Sequence, residues 1–277
     1  VAARPPIRHS RSAKWARRLA VLSLPVLVLT GLGNRFGLMP TEAVAPTVAL
    51  GYGLALVAFA LAVFALVRIW NASDEGAGEA FSALFFAAPA LVLFGLAMVA
   101  LVIYPPLNDI ATDVDDPPRF WTHPREAISV ADAQRQTAAY PRLAARFYPL
   151  SVERVFAAAQ AVVKDRGWKV EESLNPVEGE GIATIEAVAR TILFAFPDDV
   201  VIRIAPTTDG DIDGAIVDMR SASRFGRHDL GKNARRIKDF LRDLDGVLQG
   251  TIEVEPAPED EEEERFGPLP RPEPPSS

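Results

Sequence analysis

The chain of 277 residues has no cysteine. That excludes a disulfide framework, a thiolate nucleophile and cysteine-ligated zinc. Histidine is scarce: there are three, and with His9 near the N-terminus only His123 and His228 remain for chemistry elsewhere. The Gly-x-Ser-x-Gly, His-Glu-x-x-His and Gly-Lys-Ser/Thr strings of hydrolases, zinc peptidases and phosphate-binding loops are missing as well. No motif implies a cofactor.

After the first third of the chain positive charge is outnumbered by negative. Residues 1–104 hold 8 Lys/Arg against 4 Asp/Glu, and residues 105–277 hold 21 against 32. The net charge of −7 therefore conceals a basic first part and an acidic second part. An acidic domain is repelled by phosphate backbones, so nucleic acid is excluded as the expected partner.

What the first part has in abundance is uninterrupted apolar sequence. Ala43–Val67 carries no charge, and neither does Ala80–Asn108. Each exceeds the ~20 residues that cross ~30 Å of hydrocarbon. A third stretch, Leu19–Asn34, is shorter, and the flanking Arg17, Arg18 and Arg35 would snorkel to the interfaces. An uncleaved span is favoured there over a signal peptide, because the small-x-small site Ala43-Val44-Ala45 lies too far beyond the apolar run and precedes Pro46. The expected layout is a basic cytoplasmic tail over 1–18, then a membrane region over 19–104 with spans at about 19–38, 46–70 and 80–104. Six basic residues precede the first span (Arg4, Arg8, Arg11, Lys14, Arg17, Arg18), which predicts a cytoplasmic N-terminus. Three crossings then place the following domain outside, in the periplasm. The partner implied by these spans is the lipid bilayer of the cytoplasmic membrane.

Residues 105–150 read as an extended, proline-rich lead-in, with seven prolines from Pro105 to Pro149 interrupting any long helix. A helix follows: Ser151 is its expected N-cap, Val152, Val155, Phe156, Ala159, Val162 and Val163 its apolar stripe, and Gly167 its left-handed cap. Four strand-like runs come next, at Trp168–Glu172, Ile182–Thr191, Asp199–Ile204 and Ala215–Ser223. Turn signals separate them at Asn175-Pro176 with Gly179 and Gly181, at Pro197-Asp198, and at Asp209-Gly210 with Asp213-Gly214. A last helix starts near Asp229 and aligns Leu230, Ala234, Ile237, Phe240, Leu241 and Leu244. The predicted fold class is a membrane α-helical region plus an α+β soluble domain over 151–250. That domain is a helix, a four-stranded antiparallel meander and a helix, arranged as a two-layer sandwich. From 251 to 277 an acidic, proline-rich tail with six consecutive acids (Glu259–Glu264) reads as disordered.

Strand alternation directs Ile185, Ala187, Ala189, Val200, Ile202, Ile204, Val217 and Met219 toward the helices. It sends Glu186, Arg190, Asp199, Arg203, Asp218 and Arg220 to the opposite face. The expectation for that face is a solvated surface held by cross-strand ion pairs. The sharper alternative is a docking surface for another protein, or for the lead-in itself.

Three strings resemble those of a bacterial family, the domain of unknown function 1499. They are Pro105-Pro106-Leu107-Asn108-Asp109-Ile110 with Asp116-Pro117-Pro118; Asp198-Asp199-Val200-Val201-Ile202-Arg203; and Arg220-Ser221-Ala222-Ser223-Arg224 continuing through Gly226, Asp229, Gly231, Asn233 and Arg236-Ile237. The similarity covers about residues 105–245. It implies a membrane-anchored protein and supplies no activity.

Arg220, Ser221, Ser223, Arg224, Asp229 and Asn233 form the candidate ligand site. Arginines and serines beside a helix N-terminus can hold a phosphate or carboxylate. The structural alternative makes Asp229 a helix cap and pairs the arginines with Asp199 or Asp218. Asp209, Asp211 and Asp213 stand at alternate positions as at the start of a calcium loop. The twelfth position, where an EF-hand needs Glu, is Arg220, and a hairpin turn is the favoured reading. A Ser221–His228–Asp229 triad is conceivable on composition alone. Function is expected to be that of an extracytoplasmic binding or interaction module, with a protein partner meeting the charged sheet face or the spans. The alternatives are an enzyme or carrier for an anionic envelope lipid or glycan, and an accessory subunit of a membrane complex.

Overall fold

The computed structural model describes residues 9–72, 74–176 and 181–254, and the side chains of these except 72 and 250–254. The first eight residues of the basic tail, Gly179 of the first turn signal and most of the acidic tail lie outside the described residues.

Three helices open the chain: α1 (Arg11–Arg35), α2 (Val44–Ala72, entered through a short 3-10 turn at Thr41–Ala43) and α3 (Ala77–Ile103). All three are long and apolar enough to cross a membrane. The first begins eight residues before the expected span, inside the basic segment. Ser10 caps it by accepting from the Ala13 amide at 3.3 Å, and the basic residues from Arg11 to Arg18 continue the helix. Its 25 residues reach about 37 Å, so the shortfall of the apolar run is made up by its charged first turns.

The helices meet through small residues. Ala13, Ala16, Ala20, Ser23, Leu27, Thr30 and Asn34 are buried on α1, Ala55, Ala58, Ala62 and Ala65 on α2, and Ala80, Ala83, Ala87 and Ala90 on α3. The alternating spacing of three and four is the seam of a left-handed bundle. In lipid no hydrophobic force joins helices, so close backbone approach and dispersion must do so. Gly51 shows how close: a Cβ there would stand 2.6 Å from Leu27 Cδ2. Ser23 and Thr30 return their hydroxyls to the helix carbonyls of Ala20 and Val26. The large side chains, such as Val28, Leu29, Phe64, Phe85 and Leu96, point outward.

The rest of the chain is β1 (Asp109–Ala111), α4 (Val130–Ala139), β2 (Arg146–Tyr148), α5 (Val152–Asp165), β3 (Lys169–Leu174), β4 (Ala183–Arg190), β5 (Pro197–Asp209), β6 (Ile212–Ser223) and α6 (Lys232–Val254). The meander β3-β4-β5-β6 is antiparallel throughout, but the sheet has six strands. Both β1 and β2 come from the lead-in and pair with the outer edge of β6, at residues 220–222 and 215–217 respectively. The lead-in is therefore not simply extended. It contributes two edge strands and a ten-residue helix in the gap between Pro124 and Pro141. Gln136 of α4 completes the edge, donating to the Ala111 carbonyl at 2.6 Å and accepting from its amide at 3.1 Å.

Helices α5 and α6 cover one face. Ser151 caps α5, Gly167 ends it at φ +64°, and the whole predicted stripe of α5 is buried. All eight strand residues expected to face the helices lie in the same core as Val155, Phe156, Ile237, Phe240, Leu241 and Leu244. Asp213 and Gly214 lie within β6, and the turn is Gly210-Asp211 alone. Gly210 has φ +61°, as the first central position of a two-residue II′ turn requires. Gly214 serves close approach instead: a Cβ there would stand 2.3 Å from the Tyr148 carbonyl of β2.

Two junctions join the domain to the bundle. At the first, Tyr104 leaves α3, lies across Gly231, receives Arg235 on its hydroxyl at 3.3 Å and meets His228 Nε2 with its carbonyl at 3.1 Å. At the second, the β4–β5 loop Thr191–Phe196 seats against the end of α1.

Candidate functional site

The charged face of the sheet is not solvated, apart from Arg190 at the end of β4, which is exposed and donates to the Ala195 carbonyl. Glu186, Asp199, Asp218 and Arg220 are each at most 4% exposed. What covers them is the lead-in, which crosses the face as a strap from Asp109 to Glu126, so the second of the two sharper alternatives is the one realised. A sheet with helices on one side only would leave these charges in water. The strap takes them out of water and must therefore pair every one.

Arg220 is the centre of this layer. Its Nε and Nη2 donate to the two carboxylate oxygens of Asp109 at 2.9 and 2.8 Å, and it also donates to the carbonyls of Pro118 and Glu126. The guanidinium lies 5.1 Å over the Phe120 ring, which is buried with Val201 and Ala222. Arg203 donates to Asp116 at 2.7 Å and to Asp218 at 3.2 Å, and these bonds raise its pKa against the opposing effect of burial. Glu186 accepts from the backbone amides of Trp121 and Thr122. Arg224, with a quarter of its side chain exposed, donates to Asp199 at 2.7 Å through Nε and meets His123 Nδ1 at 3.1 Å and Glu171 at 3.5 Å. Arg125 donates to Asp199 at 3.3 Å and to the Ser223 carbonyl at 3.1 Å.

The other candidates lie on the helix side, because Ser221 and Ser223 alternate with Arg220. Ser221 Oγ donates to Asn233 Oδ1 at 3.0 Å and accepts from Arg236 at 2.8 Å. Asn233 donates to Ser223 Oγ at 3.2 Å and to the Asn108 carbonyl at 3.0 Å. Arg236 also pairs with buried Asp198. Asp229 accepts the amides of Gly231 and Asn233 at 2.8 and 2.7 Å, the cap expected of it, one turn ahead of the helix proper. Burial raises its pKa, and those two amide bonds oppose the rise.

The six candidate residues thus divide into two networks on opposite faces of β6. Arg220 and Arg224 each already face a carboxylate, so an arriving anion would have to displace Asp109 or Asp199. His228 accepts from the Leu230 amide through Nδ1, and Ser221 is bonded to Asn233 and Arg236, so the triad reading gains no geometry. Asp209 and Asp213 flank the β5–β6 turn, Asp211 sits in it, and Asp213 accepts from Thr208 at 3.0 Å. Among the described residues no group of His, Asp and Glu could hold a metal ion.

Two open cavities of about 390 and 510 Å³ lie along the strap, both lined by Arg125 and Ala127. The larger mixes Arg119, Arg125 and Arg220 with Asp115 and Asp116, so its lining has no strong charge bias. Arg125, His123, Glu171 and Arg236 were not among the predicted site residues. Only Arg236 had a sequence signal, through its place in the third family-like string.

Residues 109–244 match the model of the family described as Protein of unknown function (DUF1499). No curated protein matches the chain. Among solved structures, the crystal structure of TTHA0849 from Thermus thermophilus aligns at 13% identity over 39% of this chain and 96% of that one. Its TM-score is 0.21, an overlap too small to speak for the fold.

Proposed function

Since residues 109–244 belong to the DUF1499 family, whose description names no activity, we propose a function on physical grounds: the protein presents an extracytoplasmic interaction module from the cytoplasmic membrane. The observation that carries this reading is that both faces of the sheet are already covered over β4 to β6, one by α5 and α6 and the other by the strap. Ligand chemistry on the charged face would require the strap to leave. Among the described residues, the longest strand left with an unpaired side is β3, whose Val170 and Leu174 are exposed. An open edge of this kind accepts a partner strand. The Arg224, Glu171 and His123 cluster flanks it and would orient a charged partner.

Charge supports the sidedness. Arg11, Lys14, Arg17, Arg18 and Arg68 lie at the bundle end away from the domain, and Arg35 alone of the helix cations lies at the domain end. Basic residues favour the cytoplasmic side.

The cysteine-free sequence makes a clean test. A membrane-impermeant maleimide should label Ala138→Cys in intact spheroplasts and label His9→Cys only after lysis. The reverse order would overturn the topology. A photo-crosslinking residue at Val170 should then give a discrete adduct with one protein. Adducts with lipid alone would overturn the role of the β3 edge.

A further inference from the structure

We propose that the β4–β5 loop, Thr191–Phe196, is seated in the bilayer, with Ile192 and Leu193 in contact with acyl chains of the leaflet on the domain's side. The proposal rests on the three helices being membrane spans and holds for either sidedness of the domain.

The loop sits low against the bundle. Leu193 lies so close to Gly31 of α1 that a Cβ there would stand 2.4 Å from the Leu193 carbonyl oxygen. Phe194 packs among the bundle residues and makes an edge contact with Tyr52, ring centroids 6.5 Å apart. Tyr52 is eight residues into α2, about 12 Å below the start of that helix. Tyr52 in turn meets Phe94, nine residues before the end of α3. The loop tip therefore stands at a level where the neighbouring helices already show Val28, Leu32 and Leu50 outward.

At that depth irregular backbone is tolerated only where the protein satisfies its polar groups. Five of the loop's six carbonyls, all but that of Leu193, meet this condition. Asn34 donates to the carbonyls of Phe194 and Ala195 at 2.8 and 3.1 Å, and Arg35 donates to that of Ile192 at 2.6 Å. The Thr191 amide donates to the Phe196 carbonyl, the Ala195 amide to the Thr191 carbonyl, and the Phe196 amide to the Thr191 hydroxyl. Ala195 takes φ +54° to close the turn. A turn at a water-exposed tip needs no such attention to its carbonyls, because water supplies the donors.

The side chains complete the argument. Phe194 turns inward, but Ile192 and Leu193 are 87% and 56% exposed. They adjoin the outward apolar belt of α1, so the bilayer that surrounds the belt also reaches them. Arg35, exposed and directly above, lies where a guanidinium meets headgroups.

The test uses the full chain in phosphatidylcholine vesicles with single cysteines carrying an NBD fluorophore at Ile192, at Leu29 on the lipid-facing side of α1, and at Ile212 beside the β5–β6 turn. Acyl-chain nitroxide lipids should quench the probe at 192 at least half as strongly as the probe at 29, and iodide should quench it several-fold less than the probe at 212. Equal iodide quenching at 192 and 212 would overturn the proposal and leave the loop in water. Protection of 192 from both quenchers would overturn it in favour of a protein surface covering the loop. Absence of nitroxide quenching at 29 would instead overturn the membrane reading itself, and with it this inference.

Discussion

The two faces of the sheet are built from the same strands by different physics. On one, Ile185, Ile202, Val217 and Met219 meet aliphatic and aromatic side chains of two helices. On the other, Glu186, Asp199, Asp218 and Arg220 are as deeply buried, but under a strap of irregular backbone. The helix face gains from area removed from water and tolerates imperfect fit. The strap face gains little net energy from its ion pairs and depends on each being complete. Removing one partner there is costly because the other remains buried and charged. That asymmetry gives the strap face the larger response to single substitutions and the sharper specification of one arrangement.

The largest expected effect is therefore at Arg220. Arg220→Gln leaves Asp109 unpaired and frees the carbonyls of Pro118 and Glu126, and should cost roughly 3–5 kcal/mol. The matching change on the helix face, Ile202→Val, should cost about 0.5–1.5 kcal/mol. Chemical denaturation of the detergent-solubilised chain measures both. Equal costs would remove the distinction between the faces. Limited proteolysis sharpens it further, because Arg220→Gln should expose the strap to trypsin at Arg119 and Arg125 before the sheet unfolds.

Glu186 is the next test. Its carboxylate accepts two strap amides, and Glu186→Gln keeps one acceptor oxygen and loses the other, for a cost of about 1–3 kcal/mol. A stabilised Gln variant would mean that strap docking does not depend on these amides. Arg224→Gln should cost less, about 1 kcal/mol, because Asp199 keeps Arg125 and Arg224 is partly solvated. A cost equal to that of Arg220→Gln would place Arg224 in the structural core of the strap rather than at its rim.

Much of the helix face was legible in the sequence. The stripe of α5, its serine cap and glycine stop, and the inward alternation of β4 to β6 all follow from periods of 3.6 and 2, which one buried face imposes. The strap was legible only as an alternative to a solvated face, for the converse reason. Its contacts are backbone amides and carbonyls reaching single charges, and such contacts impose no period on residues 109–126. Alternating Arg and Asp on a strand looks the same whether water or a strap lies over it. Strands as short as β1 and β2 leave no pattern either. Of the candidate site, the residue types at Arg220, Asp229 and Asn233 pointed to an ordered polar region, but not to its division across two faces. The β4–β5 loop was misplaced differently: the turn signal fell on Pro197-Asp198, but both residues lie inside β5 and the turn is Thr191–Phe196 ahead of them, where no Gly, Asn or Pro marks it.

The smallest expected effect separates the two faces by pH. Asp229 lies on the helix side and, unlike Asp109, Asp199 and Asp218, is held by two backbone amides rather than a guanidinium. Burial, the leading cause, raises its folded pKa above the ordinary 3.8 despite those amides. A carboxyl with a raised folded pKa binds its proton more tightly when folded, so its stabilising contribution is complete below the unfolded value and fades as pH rises through the folded one. Wild-type protein should lose a little stability on this account as pH increases from about 4, whereas Asp229→Asn has no proton to lose. The Asn variant keeps one side-chain oxygen for the Gly231 or Asn233 amide, so its own cost should be near ~1 kcal/mol. The quantity to follow is the melting-temperature difference, variant minus wild type, between pH 4 and 7. It should rise with pH as the wild type bears the burial of a charge that the amide lacks. A difference that falls over the same interval would show the two amides outweighing burial, and would make Asp229 a charged cap of the same kind as the paired carboxylates under the strap.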